Sequence, residues 1–402
     1  MNQLLVEKYA KFLLEGCLKL TSGDKLFIIG NNLIKDFIEV VFLKAQELGI
    51  KEIKKLVVNV EYQKELYLTK NYEEIINDPV TDRTMYNDYA KEGYAFLSLS
   101  SPMPGYLSDV NPELLRKIQQ YQNEKTTIFR EYQEKDLIKW NISAVPNAYW
   151  ADKMEISLDE LWADIFKICL INEVDNPITL WNEKLEKLKK RANYLNGLKI
   201  KKLIYQNSLG TNLELELPKN YLFQSALSKN IVNMPTEEVF TSPVYNKTNG
   251  IVYSSKPLEH QGNLIENFYL EFKDGKVVNF GASKGKEILN NILEEDETSS
   301  YLGEVALVDF DSPISKINKI FYNTLIDENA SCHLALGQSF LECISDGFNK
   351  SKEELKRTGL NFSKAHVDFF IGTKDLLVKA ILENEEEKII MQNGNFYREE
   401  NL

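Results

Sequence analysis

The chain has 402 residues, more than a single hydrophobic core usually accommodates, so two domains are expected. Hydrophobic residues at 43% and charged residues at 27% argue against a disordered or membrane-embedded chain. A formal net charge of −12 argues against a duplex-binding protein, which needs a basic face to displace counterions, and suits one that attracts metal ions or free amino termini.

The opening stretch, MNQLLVEKYAKFLLEGCLKL, spreads charges among apolar positions at helical spacing, as an amphipathic helix does and a signal peptide or membrane span does not. KLFIIG (25–30), IKKLVVNV (53–60) and YAFLSLSS (94–101) are short apolar runs expected to be buried strands. FIEVVFLKAQELG and LLRKIQQYQ are helical between them and after them, and TTIFRE (126–131) is expected to be a fourth strand. This alternation predicts βαβ units, but no GxGxxG fingerprint accompanies them. SLDELWADIFKICLI (157–171) opens with a serine cap and an acidic first turn. In LWNEKLEKLKKRANYLNGL (180–198), interleaved Glu and Lys mark a second helix with one solvated face. KIKKLIYQ, TNLELELP, GIVYSS, FYLEFKDGKVVNFGA and KIIMQNGNFY then alternate apolar and polar residues around Asp-Gly and Asn-Gly turns, which are hairpin signals. The expected fold is therefore α/β: an N-terminal open, mostly parallel α/β domain over 1–178, followed by a mixed α+β C-terminal domain over 179–402.

Only three histidines occur, and two of them lie in apolar surroundings. AHVDFFIG (365–372) reads as a strand, which would project His366 and Asp368 to one side, either as ligands or as a core histidine satisfied by its neighbouring carboxylate. NMPTEEVFTSP (233–243) sets Glu237 beside Glu238; alternatively these are the acidic first turn of a helix capped by Thr236. YLGEVALVDFDSPI (301–314) places Glu304 in an apolar strand, where a cation or strong hydrogen bonds should meet it, unless it reaches water at the strand end. TLIDENASCHLALGQSF (324–340) adds Asp327, Glu328 and His333. Imidazoles and carboxylates without thiolates suit Zn²⁺, Co²⁺ or Mn²⁺, and the excess of carboxylates suits a pair of ions bridged by one of them, roughly 3.5–4 Å apart. The cysteines, Cys17, Cys169, Cys332 and Cys343, form no CxxC pair and read as reduced thiols of a cytoplasmic protein.

Taken in order, NMPTEEVFTSP, GEVALV, NTLIDENASCHLALGQ and HVDFFIG closely resemble the aminopeptidase T / aminopeptidase S (PepS) family of dinuclear metallo-aminopeptidases. The likeness extends to WNISAVPNAYWA (140–151) and so through nearly the whole chain. It implies that Glu238, Glu304, His333, His366 and Asp368 bind two divalent metal ions (Zn, Co, Mn or Mg), with Glu304 as the bridge. It also implies removal of N-terminal residues from short peptides and a homodimer; the acidic charge and acid-interleaved lysines separately predict no nucleic-acid partner, and the N-terminal pattern no membrane partner. Glu237 is the candidate general base, because it neighbours a ligand without being one; a supporting carboxylate is the equal alternative. Asp327 or Glu328 would bind the substrate's α-amino group, or support a ligand. The family carries a tyrosine where this chain has Phe340, so a hydroxyl that could steady the tetrahedral intermediate is missing.

Two other functions remain open at this stage: a catalytically weak, peptide-binding homologue, and another dinuclear hydrolase such as a phosphoesterase, disfavoured by the lack of a phosphate cradle. GASKGKE (281–287) fails the spacing of a phosphate loop, His260 reads as a surface-turn residue, and Cys332 lacks the surroundings of a nucleophile.

Overall fold

The computed structural model describes residues 2–225, 230–260 and 263–397. Its contacts divide into two units, Met1–Glu183 with Leu227–Pro235, and Lys184–Ala226 with Thr236–Leu402. A single cut near residue 178 is too simple. The division falls inside the helix Pro177–Gly197, and a later segment returns to the first unit because Asn233–Met234 pairs with Trp140–Ala144.

The first unit is built on a wholly parallel sheet, in the order Glu52–Val58, Lys25–Asn31, Tyr94–Ser100, Trp140–Ala144, Asn233–Met234. Parallel neighbours need crossovers, and helices such as Lys35–Glu47 and Pro112–Lys125 supply them. The second of these starts where Asn111 accepts from the Glu113 N–H and Pro112 takes the first helical position. Ser157 likewise caps Leu158–Ile168 by accepting from the Glu160 N–H.

Two expectations fail here. TTIFRE is not a strand but the start of the helix Thr127–Glu134. Its β-prone residues were misleading: Phe129 and Tyr132, three apart, both pack on the cluster around Phe27, Tyr94 and Phe96. The fourth long strand is Trp140–Ala144 instead. IKKLVVNV does form a strand, Glu52–Val58, but at the sheet edge and largely open to water, which is why its lysines are tolerated.

The second unit is antiparallel throughout. One sheet has eight strands, including the hairpin Tyr269–Lys273/Lys276–Gly281 and the paired strands Glu387–Gln392/Asn395–Phe396. Their turns have positive φ at both central residues, Asp274 (50°) and Gly275 (83°), Asn393 (53°) and Gly394 (72°), as two-residue hairpin loops require. A second sheet has five strands in the order His366–Phe370, His333–Gly337, Leu302–Leu307, Val239–Thr241, Gln224–Ser225, and Leu258–His260 pairs with Asn263–Ile265 in a separate two-stranded sheet. Among the described residues no helix is long and apolar enough to cross a membrane.

Side-chain alternation in the five-stranded sheet positions the candidate site. Val239, Val305, Leu307, Leu334, Leu336, Val367 and Phe369 all enter the hydrophobic core of this unit. The residues between them necessarily face the other way. Register places Glu304 opposite Ala335, and Ala335 opposite Asp368, so the two carboxylates share a row with only a methyl between them. His333 and His366 sit two residues before Ala335 and Asp368 on the same face. A register irregularity between Leu302 and Glu304 brings Gly303 so close to the carbonyls of Gly337 and Gln338 that no Cβ would fit. The glycine before Glu304 is thus required by the backbone approach.

Candidate metal centre

Two groups of ligand atoms converge on this face. Glu238, Glu304 and His333 form one; Glu304, His366 and Asp368 form the other; within each, the atoms lie within 4.8 Å of one another. Glu304 belongs to both. The five residues that the family resemblance nominates as metal ligands are thus brought together, with one imidazole in each group.

Both imidazoles are oriented from behind. His333 Nδ1 lies 3.1 Å from the Ser331 carbonyl, and His366 Nδ1 lies 3.0 Å from the Gln338 carbonyl. A carbonyl can only accept, so each Nδ1 carries the proton and each neutral ring turns a bare Nε2 lone pair forward. Those nitrogens face oxygens: His333 Nε2 is 3.2 Å from Glu238 Oε2, and His366 Nε2 is 3.1 Å from Glu304 Oε2 and 3.5 Å from Asp368 Oδ1. Lone pairs opposed at this range repel unless a cation or a second proton lies between them. Glu238 Oε2 and Asp368 Oδ1 are buried and, despite these short distances, make no hydrogen bond. Orphaned buried oxygens, bare imidazole nitrogens and the small Ala335 between them fit a divalent cation.

Without a cation, protons take that place. Burial pulls the His333 pKa down, but Glu238, Glu304 and Asp368 outweigh it and push it up to about 10. His366 is likewise raised well above its ordinary value, Asp368 and Glu304 outweighing burial. Burial is also the main cause that raises Glu304, with Asp368 adding to it and His366 opposing. The His333 side chain is 1% exposed and that of His366 29%, so solvent reaches the site from the His366 side.

The remaining candidates separate by their contacts. The Thr236–Glu238 segment is not a helix start, so Thr236 caps no helix. Glu238 faces His333, while Glu237 is ion-paired with Lys184 and its own N–H donates to Asn329 Oδ1 at 2.7 Å. Glu237 belongs to neither donor group among the described residues. Burial raises its pKa against the opposing charge of Lys184. Asp327 accepts from the Phe321 and Asn323 N–H groups at 2.9 and 3.1 Å, one bond to each oxygen, which makes it an anchor for its own loop. Burial raises it to about 6. Glu328 is raised well above the usual carboxylate range, first by burial and then by Asp368 and Glu238, so it shares the field of both groups.

Phe340, at the tyrosine position, stands edge-on to His366 with ring centroids 5.1 Å apart. His260 is no surface-turn residue: it is half-buried in the strand Leu258–His260, and burial lowers its pKa. Cys332 is buried against Val308 and Met391, and burial lifts its thiol to about 12.

Sequence reasoning missed Lys184 and Asn329. Lys184 was placed with the solvated residues of its helix, yet its side chain is 15% exposed, which puts it on the inner face. The signal was present: Trp181, Leu188 and Leu195 form the buried stripe, and Lys184 and Arg191 fall between them at the same three- and four-residue steps. Arg191 pairs with Asp309 and lies over the Phe396 ring at 4.3 Å.

Comparison with known proteins agrees with this chemistry. Residues 2–396 match the family described as thermophilic metalloprotease (M29). Aminopeptidase AmpS of Bacillus subtilis (strain 168) is 36% identical over 400 residues, which is 96% of this chain and 97% of that protein. Aminopeptidase T of Thermus aquaticus is 30% identical over 409 residues, 97% and 98% of the two chains. The solved structure of wild-type AmpT from Thermus thermophilus matches with a TM-score of 0.90 at 28% identity, covering 98% of this chain and 100% of that one. The chain belongs to the M29 metalloprotease family, and it is a metallo-aminopeptidase, a hydrolase of peptide bonds that depends on a divalent metal.

Proposed function

We propose that the protein removes N-terminal residues from short peptides with a two-metal site, held by Glu238, Glu304, His333, His366 and Asp368. The observation that carries this is the pair of donor groups sharing Glu304, each with one imidazole whose Nδ1 is held by a backbone carbonyl. Bound there, divalent ions supply an activated water and Lewis acidity towards the scissile carbonyl. Glu304, common to both donor groups, would hold both ions, and His366 marks the solvent-open side from which the peptide would enter. Glu328, rather than Asp327, pairs with the substrate's α-ammonium, because both oxygens of Asp327 are already engaged. The family resemblance further supports a cytoplasmic homodimer without nucleic-acid or membrane partners, which light scattering tests for the dimer.

The test is hydrolysis of aminoacyl chromogenic amides and dipeptides by metal-stripped protein, with Zn²⁺, Co²⁺, Mn²⁺ or Mg²⁺ restored, beside Glu238→Gln. Release of the N-terminal residue that depends on restored metal and is lost in the variant supports the proposal. Tight metal uptake without turnover defeats it and favours the second reading, a catalytically weak peptide-binding homologue.

That second reading has one observation in its favour, the Phe340 ring beside His366. Phe340→Tyr is expected to raise kcat about 10²-fold, the low side of what one oxyanion donor contributes, with metal uptake unchanged. An unchanged kcat would show that another group already supplies the donor.

Glu237 is proposed from the sequence as proton acceptor, but its contact with Lys184 favours an anchoring role for the Glu238 backbone. Glu237→Gln distinguishes the two. A proton acceptor would lose about 10²–10⁴-fold in kcat with both ions retained. For an anchor, kcat falls less than about tenfold and metal affinity falls with it, which is the result expected.

A further inference from the structure

The inner face of the helix Pro177–Gly197 carries Lys184 beside the segment of the proposed metal ligand Glu238, and Arg191 beside Asp309, two residues past the strand that bears Glu304. From these contacts we infer that Lys184 is a positioning residue of the metal centre: its ion pair with Glu237 locks the backbone that presents Glu238. The inference rests on the two-ion reading proposed above.

Two contacts meet at Glu237. Its carboxylate pairs with Lys184, and both side chains are largely buried, 8% and 15% exposed. Its N–H donates to Asn329 Oδ1 at 2.7 Å. Asn329, itself fully buried, spends its amide on the Leu325 carbonyl at 3.1 Å and on Glu328 Oε1 at 3.4 Å. The Thr236–Glu238 segment has no helix of its own to hold it, so these contacts fix it from both sides. With Glu237 held by Lys184, the next residue, Glu238, is presented to His333, its Oε2 3.2 Å from His333 Nε2.

The pairing also prevents a competition. Once cations are bound, two adjacent carboxylates beside them would both be drawn towards them. Lys184 gives Glu237 a cation of its own and leaves Glu238 as the ligand. Removing one partner of a buried ion pair strands the other charge, whereas removing both often costs little. That asymmetry makes the inference testable by a double-mutant cycle.

The measurement is metal uptake by stripped protein, by isothermal titration calorimetry with Zn²⁺ or Co²⁺, alongside thermal unfolding. Lys184→Met is expected to weaken one of the two ions 10–100-fold, the usual effect of an outer partner of a ligand, and to leave the other within about threefold. Lys184→Met/Glu237→Gln is expected to recover most of the loss. Lys184→Arg keeps the charge and should weaken the same ion only a few-fold, which provides the readout if Lys184→Met does not fold. Two ions bound by Lys184→Met with unaltered affinity, or a double variant no better than the single, overturns the inference. If the unaltered protein takes up only one ion, the two-ion proposal fails, and the role of Lys184 is judged by whether that ion is weakened.

Discussion

On the two-ion site proposed above, replacing Glu304 by glutamine is expected to deprive the protein of both ions at once. Glu304 is the residue that the two donor groups share, and its carboxylate reaches His366 at 3.1 Å while belonging equally to the Glu238–His333 group. An amide presents one acceptor oxygen and two N–H donors, and it cannot serve two cations. Metal analysis of Glu304→Gln after gel filtration should find neither position filled. Glu238→Gln and Asp368→Asn should each empty one position in preference to the other. Loss of Lewis acidity worth several kcal/mol predicts a fall in kcat/KM of about 10³-fold or more. The amide has nearly the size and shape of the carboxylate it replaces beside Ala335, so circular dichroism should show an unaltered fold. A Glu304→Gln protein that retains two ions would remove Glu304 from the bridging position.

The metal-stripped protein is expected to lose stability steadily as the pH is raised, and the metal-loaded protein is not. His333 holds its proton up to about 10 in the fold, against an ordinary value of 6.5. The folded chain therefore binds more protons than the unfolded chain between those values. Its contribution is complete below about 6.5, declines through the window, and is gone above about 10. The raised carboxyls of Glu304 and Glu328 act in the same direction above the ordinary carboxylate value of 4.5. Urea unfolding of chelator-treated protein between pH 6 and 10 should reveal a loss of a few kcal/mol. A bound cation replaces these protons, so the loaded protein should show a much flatter profile, and metal uptake near neutral pH should release protons to the buffer. Equal pH profiles with and without metal would sink this account.

Much of the site was legible because strand alternation is a local property. In AHVDFFIG, a period of two already separates His366 and Asp368 from Val367 and Phe369, and the structure keeps that separation. The Asp-Gly and Asn-Gly turns were legible for the same reason, since a positive φ at both positions depends on those residues alone. TTIFRE misled because its β-prone residues say nothing of Phe27 and Phe96, which hold Phe129 as part of a helix. Lys184 misled because lysine usually marks water, and only the position of Glu237, 53 residues further on, shows why it points inward. Asp327 and Glu328 are adjacent in sequence, and their different fates are set by the amides of Phe321 and Asn323, which pattern reading does not place.

The opposition of Val367 and Phe369 to His366 and Asp368 also bears on preparations of this protein. A slip of one residue in that strand would push the charged pair into the core and strip the site in the same movement. A chain that reaches the compact state in another register therefore has neither a sound interior nor a complete set of donors. Inactive but well-folded molecules should be scarce in a refolded sample, and the recovered metal capacity should track the recovered cooperative melt.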